Sequence, residues 1–340
     1  MSTVSETSIR PVRRVLFRGR TATYHVIART AGQAMLFGPE EKEMFRRQMR
    51  AVALFCGIRV VTFCIMGNHV HLLVEVPSER PDLADGELLR RSAALYGGRE
   101  RSRHALRLET IERALAEGDE PRERMRAMLL GRMCDLSMFA KLLQQRYSIW
   151  YNRTHERHGT LWSGRFKSVL VEGKGLPVAV VAAYIDLNAV RAGIVDDPLD
   201  YRWCGFAEAA AGLRAAKDGI CRIDGGSDTT KALARYGVLL YAKGTAPGRD
   251  KPTDATIPEE LWREARERYG TLTPFASLRQ RVRYMTAGAI LGSSLFIEEW
   301  FCRHQSAFPK RISGPRKLRG GDWGSLRTFR DLRKDVCSDK

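Results

Sequence analysis

The sequence predicts an α+β fold in which an antiparallel β-sheet is backed by helices. Segments with the periodicity of strands and of helices occur in the order strand, helix, strand, strand, helix, strand, helix. This order lacks the regular alternation of a doubly wound parallel sheet, and a short turn joins its two adjacent strands. We therefore expect one antiparallel sheet, followed by a mostly helical C-terminal extension.

The individual elements follow from hydrophobic periodicity and from the residues that begin or end them. The first strand alternates apolar and polar residues, and the next two form a hairpin around Met66-Gly67-Asn68. Proline at the first turn favours the start of two of the helices. The predicted strands are 21–30, 58–65, 69–76 and 165–173, and the predicted helices are 39–54, 135–152 and 177–191.

Composition changes along the chain predict two domains. We assign residues 1–208 to the first domain, in which the highly charged stretch 77–134 is an insertion of two or three surface helices. Residues 209–340 form a helical, basic accessory region that is a candidate for DNA binding. Its helices at 274–286 and 294–304, with the linker AGAILGSS, resemble a helix-turn-helix, and a helical cap on the first domain is the alternative.

The charge of the chain indicates a polyanionic partner. The formal net charge is +18, which attracts nucleic acid, although a basic surface that serves only solubility is the alternative. The seven cysteines contain no CxxC pair, which argues against a zinc ribbon and a secreted disulfide scaffold. Neither a secretory signal nor a membrane-spanning segment is present in the sequence, so we expect a cytoplasmic protein.

Two histidines in the third strand are the first candidates for chemistry. His69 and His71 are two residues apart, so both side chains project from the same face of a strand. Two imidazoles held close together on a sheet can bind a divalent cation. A hydrogen-bonded or exposed pair without metal remains the alternative for so short a motif. His25 in the first strand is either structural or a support for such a site.

The helix at 177–191 carries polar groups on an otherwise apolar surface. Tyr184, Asn188 and Arg191 lie at i, i+4 and i+7 and therefore share one side of the helix. With the histidines, the Asn188 carbonyl oxygen can provide a third ligand to Mg²⁺ or Mn²⁺, and Tyr184 is a nucleophile of suitable reach. No Walker loop competes for this role in the sequence, and no nucleotide cofactor is expected.

Three segments resemble the IS200-like, single-tyrosine transposases, and most closely their branch associated with repetitive extragenic palindromes. They are MGNHVHLLVEV, YNRTHERHGTLWSGRFKSVLVEG and AAYIDLNAVRAGIVDDPLDYRW, in the order of that family, and they span about residues 15–206. Two positions differ from the usual pattern, since Gly67 and Ala189 stand where proline is common.

The resemblance implies a fold, a reaction and a role for each matching residue. The fold is the ferredoxin-like core of HUH endonucleases. The reaction is metal-dependent cleavage and joining of single-stranded DNA beside a hairpin, through a 5′-phosphotyrosine, in DNA transposition. His69, His71 and Asn188 would bind Mg²⁺ or Mn²⁺, and Tyr184 would be the nucleophile.

Other readings of the same residues stay open at this level. Tyr147 is a rival nucleophile, although it lies on the apolar side of its helix. A domesticated protein that binds hairpin DNA or RNA without turnover is the alternative function, and a phosphodiesterase that uses water is a third. Candidate DNA-binding residues combine positive charge with an aromatic ring; they are Trp162, Arg165, Lys167 and Arg191.

Overall fold

The fold was analysed in a computed structural model of the 340-residue chain. The structure describes residues 15–17, 20–97, 108–241, 259–269, 274–275, 278, 284–305, 314–318, 323–329 and 336–338. Its strands are β1 Val15–Phe17, β2 Ala22–Arg29, β3 Arg59–Ile65, β4 His69–Val76, β5 Lys167–Val171, β6 Ile290–Ser293, β7 Arg316–Lys317, β8 Leu326–Phe329 and β9 Val336–Ser338.

Helices account for most of the remaining described residues. They are α1 Pro39–Cys56, α2 Asp85–Tyr96, α3 Leu108–Ala116, α4 Asp119–Leu130, α5 Leu136–Thr154, α6 Gly175–Asp186, α7 Asn188–Arg191, α8 Gly205–Ala210, α9 Arg214–Asp224, α10 Thr229–Tyr241, α11 Glu259–Tyr269, α12 Tyr284–Ala287 and α13 Ser294–Arg303. The predicted helix 177–191 is thus divided at Leu187 into α6 and α7, which remain almost continuous.

The central sheet confirms the predicted α+β class. Strands β3, β4, β2 and β5 are neighbours in that order and pair antiparallel throughout. With α1 and α5 as the connecting helices, the chain order is βαββαβ, which is the ferredoxin-like arrangement. The strand predicted at 165–173 is shorter than expected, and Arg165 precedes it.

Two hydrophobic cores cover the two faces of this sheet. Alternate residues of β2 and β4, including Tyr24 and Leu72, pack with α1 and α5 in the first core. Leu73 of β4 and Val169 of β5 belong to the second core, which contains α6, α9 and α10. We call the face toward α6 the histidine face, because it carries His25, His69 and His71.

The predicted insertion forms three helices, α2 to α4, in the described part of 77–134. They are amphipathic, and they bury Leu88, Leu95, Ile111 and Leu129 in the first core. The insertion therefore enlarges the hydrophobic core beside α1 while its charged residues form ion pairs on the outside. The basic run 99–107 lies outside the described residues.

Residues beyond 209 also contribute strands to the central sheet. Strand β6 pairs parallel with β5 and antiparallel with β8, which extends the sheet to seven strands with β7. The predicted helix-turn-helix is therefore wrong, because its linker contains this strand. Within the described ranges, no helix combines the length and the apolar character that a membrane span needs.

Candidate active site

Strand β4 places the two predicted metal-binding histidines side by side. The ring centroids of His69 and His71 are 5.0 Å apart, and His71 is only 2% exposed. On the neighbouring strand β2, Arg29 lies opposite His69 and Ile27 opposite His71. The alternation of a strand thus brings both imidazoles to the histidine face, as the sequence predicts.

His25 joins this pair from strand β2. Its Nε2 lies 2.8 Å from Nδ1 of His71, and its Nδ1 lies 2.8 Å from the main-chain oxygen of Met285. The side chain is completely buried. Of the two roles that the sequence left open for His25, direct support of His71 is the one that this contact favours.

Burial keeps all three imidazoles uncharged near neutral pH. Desolvation is the main cause in each case. The nearby Arg191 lowers the pKa of all three, and Arg29 lowers the pKa of His69 and of His71. The pKa of His25 and that of His69 are lowered to about 4, and the pKa of His71 is well below its ordinary value of 6.5. Neutral imidazoles are the form that binds metal ions.

Tyr184 lies against the histidines on the inner side of α6. Its ring centroid is 5.8 Å from that of His71 and 5.9 Å from that of His25, with edge-to-face packing in both cases. Helix α6 is buried from Pro177 to Asp186, which explains why its sequence is apolar on nearly all sides. The helix therefore holds Tyr184 directly beside the candidate metal ligands.

Arg191, the last residue of α7, contacts both the ring and the main chain of Tyr184. Its guanidinium lies over the Tyr184 ring at 4.0 Å and donates to the Tyr184 main-chain oxygen at 2.7 Å. It also donates to the main-chain oxygen of Leu278, at 3.2 Å. These contacts point inward and hold the Arg191 guanidinium against Tyr184, while its direct contact with DNA stays a prediction.

Asn188 reaches the histidine pair, but with its amide nitrogen. Its Nδ2 lies 3.3 Å from Nε2 of His69, while its Oδ1 accepts a hydrogen bond from Arg191 at 3.3 Å. The predicted ligand is the carbonyl oxygen, so oxygen and nitrogen would have to exchange places by rotation of the amide. The two ends of an amide are nearly equal in size, so the rotation requires little space, but it replaces the hydrogen bond from Arg191 by two donors that face each other. Binding of a metal by Oδ1 would have to offset that loss.

The remaining candidate DNA-binding residues occupy different environments. Lys167 is exposed at the start of β5, opposite Ile27 of β2, and Arg165 is exposed just before it. Trp162, in contrast, is 7% exposed, packs on Phe37 and donates its indole N–H to the Gln144 main-chain oxygen. The predicted base-stacking role of Trp162 is therefore not supported, because both its ring and its N–H are engaged in the core.

Tyr147, the rival nucleophile, is on the opposite face of the sheet. It belongs to the first hydrophobic core, and its hydroxyl donates to the main-chain oxygen of Glu41 at 3.0 Å. Burial raises the pKa of this phenol far above its usual value, mainly through desolvation. The sheet separates Tyr147 from His69 and His71, so it cannot share a substrate with them.

A buried carboxylate supports α6 from behind the site. Asp186 accepts hydrogen bonds from the Thr62 hydroxyl at 2.8 Å, the Tyr236 hydroxyl at 2.7 Å and the main-chain N–H of Phe206 at 3.1 Å. Desolvation nevertheless raises the pKa of Asp186 from 3.8 to about 6. Nothing in the sequence distinguished this aspartate, two residues after Tyr184, from an ordinary polar residue at the end of a helix.

Asp186 predicts a specific pH dependence of stability. The folded protein holds the carboxyl proton up to a higher pH than the unfolded chain, so its contribution to stability decreases as the pH rises from about 4 to 6. We expect the stability of the wild type, relative to Asp186→Asn, to fall by about 2–3 kcal/mol over this interval. Urea unfolding of both proteins at four pH values measures it, and a pH-independent difference would contradict the assignment.

The donor set fits a weak and open divalent-metal site. Two neutral imidazoles and one amide side chain converge, whereas the described ranges contain no group of three or more His, Cys, Asp or Glu arranged to hold a metal ion. Two nitrogen ligands and one oxygen ligand leave coordination positions for water or phosphate oxygens. Such a site leaves room for ligands from a bound substrate.

The segment that carries the histidines matches a known protein family. Residues 20–82 match the family described as "Transposase IS200 like". The predicted resemblance is thus confirmed for β2, α1, β3 and β4, which include His69 and His71, while Tyr184 and Asn188 lie outside the matched segment. No functionally curated protein matches the chain significantly.

Two solved structures have a similar arrangement over part of the chain. One is a tyrosine transposase associated with REP sequences, bound to a REP hairpin, with 14% identity, a TM-score of 0.37, and coverage of 62% of this chain and 87% of its own. The other, from Deinococcus radiodurans R1, is described as a candidate transposase and has 15% identity, a TM-score of 0.23, and coverage of 52% and 86%. Both TM-scores are below 0.5, so the fold assignment rests on the sheet topology itself.

Proposed function

We propose that the protein is a metal-dependent tyrosine transposase that cleaves single-stranded DNA and transfers the strand through a 5′-phosphotyrosine. The main support is the position of Tyr184, whose ring lies 5.8 Å from His71 on the face that carries both histidines. A second support is the IS200-like segment 20–82 around those histidines. Hairpin or palindromic DNA is the proposed substrate, on the resemblance of the three sequence segments.

The reaction is a direct exchange of one phosphodiester for another. The Tyr184 phenol loses its proton, its oxygen bonds to phosphorus, and the bond from phosphorus to the 3′ oxygen breaks. The leaving oxygen takes up a proton and becomes the free 3′-hydroxyl, while the 5′ end stays attached to the enzyme. Because the ester bond energy is conserved, a second hydroxyl can reverse the reaction and join strands without ATP.

The side chains of the site divide this work among them. His69, His71 and the rotated Asn188 amide would hold Mg²⁺ or Mn²⁺, which when bound would polarise the scissile phosphate. Arg191 keeps the tyrosine ring in place through its contacts to the ring and to the main-chain oxygen of Tyr184. Its positive charge over the ring also offsets the negative charge that develops on the phenol.

Covalent attachment of DNA is the experiment that tests this proposal. A single-stranded oligonucleotide that contains a hairpin is incubated with the wild-type protein, with and without Mn²⁺, and separated on a denaturing gel. A transposase of this kind gives a metal-dependent protein–DNA adduct. Cleavage without an adduct would indicate a phosphodiesterase that uses water, and binding without cleavage would indicate the domesticated hairpin-binding protein.

Basic residues beside the histidines should make DNA binding depend on salt. Arg29 and Lys167 are exposed, and the sheet register places them on the histidine face next to His69 and Ile27. If each contacts a phosphate, Arg29→Gln and Lys167→Gln should each lower the slope of log affinity against log salt by about 0.7 for a single strand.

The matched control for this experiment is Arg124→Gln. Arg124 is also exposed, but it lies on α4 and pairs with Glu120. Its replacement removes the same charge from the protein and should leave the slope unchanged. If all three variants keep the wild-type slope, the DNA does not pass Arg29 and Lys167.

The division at residue 208 and the accessory role of 209–340 stay predictions.

A further inference from the structure

The structure gives both metal-binding histidines a hydrogen-bond chain that ends on a main-chain oxygen. His71 contacts His25, which contacts the Met285 oxygen. His69 places its Nδ1 2.6 Å from Oδ1 of Asn68. The amide nitrogen of Asn68 in turn donates to the Gln33 main-chain oxygen at 3.1 Å. Each chain therefore connects a histidine to a group whose hydrogen-bonding role cannot change.

We propose that His25 and Asn68 are positioning residues that hold His71 and His69 as the Nδ1–H tautomer, so that both present an unprotonated Nε2 to the metal. This inference rests on the proposed function and assigns it two further residues. It also makes the segment around Met285, far along the chain, part of the support of the active site.

The donors and acceptors in the hydrogen-bond chain from His71 through His25 follow from the Met285 oxygen at its end. A carbonyl oxygen only accepts, so the proton shared with Met285 is on Nδ1 of His25. His25 is fully buried, and none of the described carboxylates pairs with it, so its other nitrogen carries a lone pair. That lone pair accepts from Nδ1 of His71, which leaves Nε2 of His71 without a proton.

The second chain has the same logic and a different anchor. The Gln33 oxygen can only accept, so it fixes the nitrogen end of the Asn68 amide and turns the oxygen end to His69. Nδ1 of His69 must then donate to this oxygen. Consistent with this, Nε2 of His69 faces the amide nitrogen of Asn188, a donor that requires a lone pair.

The Met285 end of this first hydrogen-bond chain is held against the sheet by main-chain pairing. Met285 lies in α12, and the residues that follow pair directly with β5. The N–H of Leu170 donates to the Ala289 oxygen at 2.9 Å, and the N–H of Glu172 donates to the Leu291 oxygen at 2.9 Å. Because β6 is fixed to the same strand, the Met285 oxygen has a fixed position under His25.

The tautomers can be measured without metal or DNA. In the metal-free wild-type protein labelled with ¹⁵N-histidine, long-range ¹H–¹⁵N spectra should show protonated Nδ1 and unprotonated Nε2 for His25, His69 and His71. His25→Phe removes the acceptor, so His71 should become a mixture of tautomers, and Mn²⁺ affinity should fall by about 10–100-fold. His25→Gln retains an acceptor and should restore most of the affinity.

A second histidine with the same type of contact serves as the control. His304 binds the Trp300 main-chain oxygen through Nδ1 at 2.9 Å, but it lies at the end of α13, whose residues pack in the first core. His304→Phe should leave the spectra of His69 and His71 and the Mn²⁺ affinity unchanged.

Asn68→Leu should act on His69 as His25→Phe acts on His71.

The outcomes separate this inference from the proposed function. An Nε2–H tautomer of His71 in the wild type, or wild-type Mn²⁺ affinity in folded His25→Phe, would overturn the inference even if the protein cleaves DNA. Conversely, the tautomers and the loss of affinity can be as expected while no protein–DNA adduct forms. In that case the metal site is established and the strand-transfer function is rejected.

Discussion

Replacement of Tyr184 by phenylalanine is expected to abolish both DNA cleavage and the covalent adduct. The substitution removes only the hydroxyl, so the ring should keep its packing against His25, His71 and Arg191. Without a nucleophile, the cleavage rate should fall on the order of 10⁴-fold or more, whereas affinity for the single strand should change by less than about twofold. Adduct formation and filter binding measure the two effects separately.

The matched control is the same substitution at Tyr147. Tyr147→Phe also removes a buried hydroxyl, and it should cost about 1 kcal/mol of stability because the hydrogen bond to the Glu41 oxygen is lost. It should retain the adduct, since Tyr147 lies on the opposite face of the sheet from the histidines. An adduct in Tyr184→Phe that is absent in Tyr147→Phe would reverse the assignment of the nucleophile.

Removal of either proposed metal ligand, His69 or His71, is expected to have the second-largest effect. His69→Ala and His71→Ala each delete one of two imidazoles whose centroids are 5.0 Å apart. Loss of a ligand should weaken Mn²⁺ binding and remove several kcal/mol of charge stabilisation, so cleavage should slow by about 10²–10⁴-fold. Titration of Mn²⁺ by electron paramagnetic resonance, together with cleavage rates, measures both effects.

His155→Ala is the control for the loss of a histidine. His155 is exposed and lies 3.0 Å from the Glu41 carboxylate, at the end of α5 in the layer that covers the opposite face. Its replacement should change neither Mn²⁺ affinity nor cleavage. If His69→Ala and His71→Ala cleave DNA at the wild-type rate at every Mn²⁺ concentration, the two histidines do not hold the catalytic metal.

Local periodicity was sufficient to predict the elements of the site. The alternation of β4 placed His69 and His71 on one face, and the helical spacing brought Tyr184 and Asn188 to one side of their segment. The order of strands and helices likewise predicted the α+β class that the sheet topology confirms. These properties depend on residues a few positions apart, which is the range over which backbone geometry repeats.

Contacts between distant parts of the chain were decided only by tertiary structure. Trp162 lies between basic residues in the sequence, as in a DNA-binding surface, but its ring packs in the aromatic core. The AGAILGSS linker contains strand β6, which pairs with β5. Strand register, which no single segment encodes, brought His25 to His71. The Met285 oxygen that fixes His25 is 260 residues away from it, and no periodicity extends over that distance. The sequence by itself therefore determined which groups carry the proposed chemistry. Tertiary packing determined their hydrogen-bond partners, because pairing and burial depend on the whole sheet.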